Sequence, residues 1–207
     1  LALHASAVEV DGRSAAFVAG HGGGKTSLAA TFAAAGHRLL TDDLLALHRG
    51  PDGTLARSGY PALRMDAPQL ARFGLDRSSL KRVAPGVEKW LVPAERLGRH
   101  RFQDEDLPLA GIFLLAPAAE SGEVSVAPVA AADAVIELVR CSFTPYVLEA
   151  VGLQAARLER LAELAERLPV WRLRCPNGLD RLPSARRAVL AALGCEGDAG
   201  WPHRPTR

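Results

Sequence analysis

Residues 19–26, Ala19-Gly20-His21-Gly22-Gly23-Gly24-Lys25-Thr26, restrict this chain more than any other segment. Glycines packed this closely open backbone angles that other residues avoid, and successive amides can then turn toward one anion. Before the run stands a short apolar stretch, Ser14-Ala15-Ala16-Phe17-Val18-Ala19, which reads as a buried strand. After it, the alanine-rich stretch from Thr26 to Ala35 reads as a helix that Gly36 stops. Strand, glycine loop and helix in that order form the setting of a phosphate-binding loop of the Walker A kind, G-x-x-x-x-G-K-[ST]. Gly24, Lys25 and Thr26 fit the pattern, while Ala19 stands where its first glycine belongs. The amides of Gly20, Gly22, Gly23 and Gly24 are expected to cradle phosphate oxygens above the positive end of the helix. Lys25 is expected to reach the outer phosphates as a flexible point charge, and Thr26 to offer its hydroxyl to magnesium.

A second half of the site follows sixteen residues after Thr26, at Asp42-Asp43. His37-Arg38-Leu39-Leu40-Thr41 reads as a strand returning to the sheet, and strand ends are where ligands sit in open α/β sheets. One carboxylate there can help hold the ion, and the other can take the proton of an attacking hydroxyl. Adjacent acids are also common in plain turns, and only the neighbouring glycine loop favours the catalytic reading.

Leu3-His4-Ala5-Ser6-Ala7-Val8, the glycine loop, Gly36-His37-Arg38-Leu39-Leu40 and Asp42-Asp43 together resemble the catalytic domain of HPr kinase/phosphorylase. They are closer still to the broad set of HPr-kinase-like proteins, which includes peptide kinases of lasso-peptide clusters. The resemblance covers about residues 3–48 and implies an α/β P-loop fold of the phosphoenolpyruvate carboxykinase/HPr kinase type, a mixed β-sheet flanked by helices. It implies ATP and Mg2+, with Lys25 and Thr26 on phosphate and metal, Asp42 as the base for a serine hydroxyl, and Asp43 on the metal side. His4 matches a histidine before the loop strand, with a structural role as the alternative. The chain also departs from that family. His21 stands where a serine is usual, and Ala62-Leu63-Arg64-Met65 lacks both the Glu and the Gly of the family's Glu-x-Arg-Gly stretch. The later signature for phosphorolysis has no counterpart. These departures point away from HPr as the acceptor and from a dephosphorylating activity.

A chain of 207 residues with 48% hydrophobic content suits one domain with a real core, taken as residues 1–194, followed by a flexible tail, 195–207. A net charge of +2 argues against a dedicated nucleic-acid binder. Cys141, Cys175 and Cys195 are widely spaced and odd in number, which fits neither a metal pattern nor a disulfide framework. A reducing cytoplasm is the simple inference, and no signal peptide or membrane span is visible. The chain begins without Met, almost directly in a strand from Leu1 to Val10, which suggests a fragment, a processed form or another start.

Further along, Leu44–His48 and Thr54–Arg57 read as a hairpin around Arg49-Gly50-Pro51-Asp52-Gly53, so the sheet is expected to be mixed. Residues 59–68 read as a crossing loop with a short strand, and Asp66 to Phe73 as a short helix. The charge-rich stretch 74–106 reads as a mobile cover or substrate-facing loop. Lys89 is expected on a strand there, as a phosphate contact or a plain exposed lysine. Leu109–Leu115 reads as a central strand with Glu123–Pro128 pairing to it. Helices are expected at Ala131–Cys141, Tyr146–Leu168 and Ser184–Leu193, with a strand at Val170–Arg174. The leucines at 153, 158, 161, 164 and 168 form one apolar side, either core or a contact between copies in a homo-oligomer.

Three readings stand at this point. The first is an ATP- and magnesium-dependent serine kinase acting on a peptide or small protein, with no nucleic-acid or membrane partner. The second is a nucleotide-binding regulatory module without kinase activity. The third, a carboxykinase-like enzyme on a small molecule, lacks its extra metal ligands and substrate arginines.

Overall fold

The computed structural model describes residues 1–118, 122–143 and 149–195. Two short strands, β1 (Ala2–Leu3) and β2 (Ala5–Val10), replace the single strand expected from Leu1. They part at His4 because the chain changes partner there: Leu3 pairs with Leu45, while Ala5 pairs with Val18. Then follow β3 (Arg13–Val18), α1 (Lys25–Ala34), β4 (Leu39–Thr41), β5 (Leu45–Gly50), β6 (Gly53–Ala56), β7 (Ala62–Met65) and α2 (Ala67–Arg72). The remainder runs β8 (Lys81–Arg82), β9 (Trp90–Pro93), β10 (Leu107–Pro117), β11 (Ser125–Pro128), α3 (Ala131–Arg140), α4 (Gln154–Arg167), β12 (Val170–Cys175) and α5 (Leu182–Ala192).

The main sheet is mixed, in the order β1-β5-β6-β10-β3-β2-β4, with β12 on β10 and β11 on β12. Its centre is parallel: Phe17 of β3 pairs with Phe113 of β10, and Ile112 of β10 with Val170 of β12. β2 runs antiparallel to both β3 and β4, so β4 points the same way as β3. The C-terminal ends of β3, β4, β10 and β12 therefore share one edge, where ligands gather in α/β sheets.

Alternation along β3 sorts the core. Ala15 and Phe17 face α1 and α5 with Leu28, Phe32, Ala185 and Val189, whereas Ala16 and Val18 face α3 and α4 with Ala134, Leu138, Leu161 and Leu164. The alanines of α1 reflect its setting, since every residue from Ser27 to Ala33 is buried. Phe17 contacts Phe32 and Phe113 at ring separations of 5.3 and 6.2 Å.

Several expectations need correction. The stretch 74–106 is not a loose cover, because β7, β9 and β8 form a second antiparallel sheet. Trp90, Val92 and Ala94 are buried in the α1-side core, which the charge of the flanking residues concealed. β11 pairs with β12 rather than with β10. The strand expected from His37 begins at Leu39, and Lys89 precedes β9 rather than lying in it. The long helix expected from Tyr146 is interrupted: residues 149–150 and Gln154–Arg167 are helical, and between them is a turn where Gly152 takes φ 71°. Leu161 and Leu164 are buried there, but Leu153 and Leu158 are 50% and 44% exposed. Residues 146–148 of that expected helix, and 196–207 of the expected tail, lie outside the described residues. Among the described residues no helix is long and apolar enough to cross a membrane.

Candidate functional site

Residues 19–24 bridge the end of β3 to the start of α1 at the shared sheet edge. Gly22 and Gly24 take φ 75° and 88°, the left-handed region where a side chain is strained. Gly23 is required for a different reason: a Cβ there would lie 2.6 Å from the Cβ of Ala19. The Gly23 amide donates to the Gly20 carbonyl at 3.2 Å and closes the loop on itself. Lys25 turns back over it, with Nζ donating to the carbonyls of Ala19 at 2.9 Å and Gly20 at 3.0 Å. The side chain is only 6% exposed. Burial pulls the Lys25 pKa below its ordinary value, Cys141, Asp42 and Asp43 push it back up, and Lys89 adds to the fall.

The two aspartates follow β4 and occupy different surroundings. Asp42 is 8% exposed. Its Oδ1 accepts from Ser6 Oγ at 2.5 Å and from Thr26 Oγ1 at 2.9 Å, and its Oδ2 accepts from the Arg64 amide at 2.9 Å. Asp43 takes φ 75°, a conformation aspartate tolerates better than most residues, and this turns its side chain away from that of Asp42. It pairs with the Arg64 guanidinium and lies 3.4 Å from His4 Nδ1. The same His4 nitrogen is 3.0 Å from the Asp43 carbonyl oxygen. A carbonyl only accepts, so Nδ1 carries the hydrogen.

The structure thus brings Gly20, Gly22, Gly23, Gly24, Lys25, Thr26, Asp42 and Asp43 to one edge. A cavity of about 440 Å³ opens there, lined by His4, residues 21–27, Asp43, Arg64 and Lys89 among others. Ser6 and Arg64 were not assigned to the site from sequence. Ser6 is a lone hydroxyl in the apolar run of β2, a usable signal once strand alternation is followed. Arg64 stands in Ala62-Leu63-Arg64-Met65, the stretch set against the Glu-x-Arg-Gly pattern, and from β7 it reaches Asp43, a pairing that the pattern alone did not give. A further support is Gln69 of α2, whose Nε2 donates to Ser27 Oγ at 2.5 Å.

Among the described residues no group of three His, Cys, Asp or Glu side chains is arranged to hold a metal. The donors at hand are hard oxygens, Thr26 Oγ1 and the Asp42 carboxylate it bonds, and oxygens of that kind suit a magnesium ion sharing its shell with phosphates and water.

Fold and site together define a mixed α/β protein with a glycine loop at the C-terminal edge of a curled, mixed sheet. The same fold is found in the HPr(Ser) kinase/phosphatase from Coxiella burnetii, with a TM-score of 0.50 and 10% identity over 93% of this chain and 95% of that one. No protein-family model and no curated protein sequence matches the chain.

Proposed function

We propose that this protein is an ATP- and magnesium-dependent kinase that transfers the γ-phosphoryl group to a serine of a peptide or small protein. One observation carries the reading: the hydroxyl of Thr26, the first-turn residue beside Lys25, is hydrogen-bonded to the buried carboxylate of Asp42, with Asp43 next to it on the cavity wall. Such a transfer needs a phosphate cradle, a hard-oxygen metal set and a separate carboxylate, and we assign these to the glycine loop, to Thr26 with Asp42, and to Asp43. The shared fold with an HPr(Ser) kinase/phosphatase supports the class of reaction.

The hydrogen bonds favour exchanging the roles that the sequence suggested for the two acids. Asp42 is committed to Ser6, Thr26 and the Arg64 amide, so it suits the metal side and is poorly free to meet an acceptor. Asp43 is 27% exposed and faces the cavity, which suits the base. Gly22 and Gly24 hold phosphate oxygens by their amides while the Gly23 amide closes the loop on Gly20, and Lys25 brings its charge to the outer phosphates. Magnesium, when bound, offsets the negative charge of the phosphoryl oxygens. Asp43 accepts the acceptor's hydroxyl proton on a carboxylate oxygen while the serine Oγ bonds to the γ-phosphorus and the bond to the β–γ bridging oxygen breaks, releasing ADP. His4 and Arg64 orient Asp43 from two sides.

A second reading is a nucleotide-binding module without transfer, favoured by the Arg64 guanidinium standing on an Asp43 oxygen. Incubation with γ-labelled ATP, magnesium and a lysate of the source organism separates the two. A labelled protein band that vanishes with Lys25→Ala supports the kinase. ATP binding without any labelled acceptor favours the module.

A further inference from the structure

Between Arg72 and Arg101 the chain carries eight Arg and Lys residues against three acids, a net charge of +5 within a chain whose total is +2. The fold gathers much of this charge into a strip. Arg77, in the short turn Arg77–Ser79, and Arg82 of β8 lie over the Trp90 ring at 5.9 and 5.6 Å. Arg96 donates to Ser79 Oγ at 2.9 Å and extends the strip beyond that turn. Lys81 stands exposed on β8, the outer strand of the β7-β9-β8 sheet. At its other end the strip enters the cleft. Val83 follows β8 directly, its amide donates to the Lys89 carbonyl at 2.9 Å, and both residues line the cavity of Asp43. The three acids leave most of the charge uncovered. Glu88 pairs with Arg82, Asp76 accepts from the amide and hydroxyl of Ser78, and Glu95 accepts from the Arg101 amide. Among the described residues Arg77, Lys81, Lys89 and Arg96 have no carboxylate within ion-pair distance.

We propose that this strip docks an acidic segment of the polypeptide acceptor, so that the serine delivered to Asp43 is flanked by Asp and Glu residues. The inference rests on the kinase reading above and deepens it by naming the chemistry of the acceptor. A serine whose Oγ reaches Asp43 lies in the cleft, and an extended chain advances about 3.3 Å per residue. A few residues on one side of that serine are enough to carry the chain past Lys89 and Val83 onto Lys81 and Arg77. Carboxylates there relieve the mutual repulsion of the unpaired cations and steer the encounter, while a basic segment is repelled. Arg77 and Arg82 are held against Trp90, so their planar groups are fixed for carboxylates before the acceptor arrives.

The test compares two pairs of fluorescein-labelled peptides, each with a single serine, carrying a run of Glu or of Gln before it in one pair and after it in the other. Anisotropy titrations at low salt are expected to show one Glu peptide binding at least about tenfold tighter than its Gln counterpart, a preference that shrinks as salt is added. Lys81→Glu is expected to abolish the preference and Lys81→Arg to keep it. Arg167→Glu, an equal charge change on α4 across the sheet, is expected to leave it intact. Should Lys81→Glu not fold, the Glu and Gln peptides on the unaltered chain decide. Equal affinity for the two overturns the docking strip. So does an equal loss in Lys81→Glu and Arg167→Glu, which makes the effect one of overall charge. An oligouridylate that binds more tightly than either Glu peptide and is released by Lys81→Glu assigns the strip to nucleic acid and overturns the proposal too. Transfer from γ-labelled ATP separates docking from catalysis. A kcat/KM at least about tenfold higher for the Glu peptide, lost through KM in Lys81→Glu with kcat on the Gln peptide unchanged, supports the proposal. Equal transfer to Glu and Gln peptides overturns the docking and leaves the kinase standing. Selective binding with transfer to neither overturns the docked segment's role as acceptor, while the kinase reading stands or falls by the lysate labelling.

Discussion

Asp42 and Asp43 are neighbours in sequence with opposite surroundings, and the backbone between them accounts for it. The left-handed turn at Asp43 points one carboxylate into the sheet edge and the other into the cleft. Asp42→Asn is therefore expected to weaken magnesium-dependent nucleotide binding, by roughly ten- to a hundredfold if a charge-assisted contact is lost. Calorimetric titration with and without magnesium reads this directly. Gly23→Ala is expected to disturb the same site from the backbone side, because its Cβ would meet that of Ala19 at 2.6 Å. Nucleotide affinity should fall while the melting temperature moves little, since the loop is at the surface. The loop, Lys25 and Thr26 were legible in the sequence because their chemistry is local. The different surroundings of the two aspartates were not, since they depend on Ser6 and Arg64, which only the folded sheet brings to them.

Among the elements, α2 holds the site's flank, while the turn before β4 closes the opposite end of α1. Asp66 caps α2 by accepting from the Gln69 amide at 3.0 Å, and the Gln69 side chain returns a bond to the Asp66 amide at 2.8 Å. Asp66→Ala is expected to cost about 1 kcal/mol in urea denaturation, and by freeing Gln69 to loosen Ser27 beneath the glycine loop. His37 sits between α1 and β4, edge-on to Phe32 and 3.2 Å from the Glu9 carbonyl. Burial, and next the charge of Arg186, hold its pKa below the ordinary 6.5. The unfolded chain therefore binds more protons in that window, so this contribution to stability is present above pH 6.5 and is lost as pH falls through the folded value. His37→Gln should flatten the acid-side decline of the urea midpoint; an unchanged slope would exclude His37 as its source. The α2 helix was expected over Asp66 to Phe73 and is found over Ala67–Arg72, with Asp66 as its cap. The pairing of β7, β9 and β8 into one sheet was not legible in the sequence, because β7 and β9 are separated by α2 and a turn-rich stretch and no local pattern fixes their register.

At the scale of the whole molecule, the parallel trio β3, β10 and β12 gathers three strand ends at one edge, and the apolar runs of β3 and β10 made that centre readable in advance. Which edge strands join it is set by long-range pairing, as the transfer of β11 from the expected β10 to β12 illustrates. As a result the glycine loop, the two carboxylates and the cavity beside them all lie at the same edge. The most direct test compares Asp43→Asn with the unaltered chain, measuring MgATP affinity and phosphoryl transfer to the labelled acceptor in the same preparation. The account expects affinity to stay within a few-fold while transfer falls by about 10²- to 10⁴-fold, the span usual for a lost general base. Transfer at the unaltered rate in Asp43→Asn would contradict it.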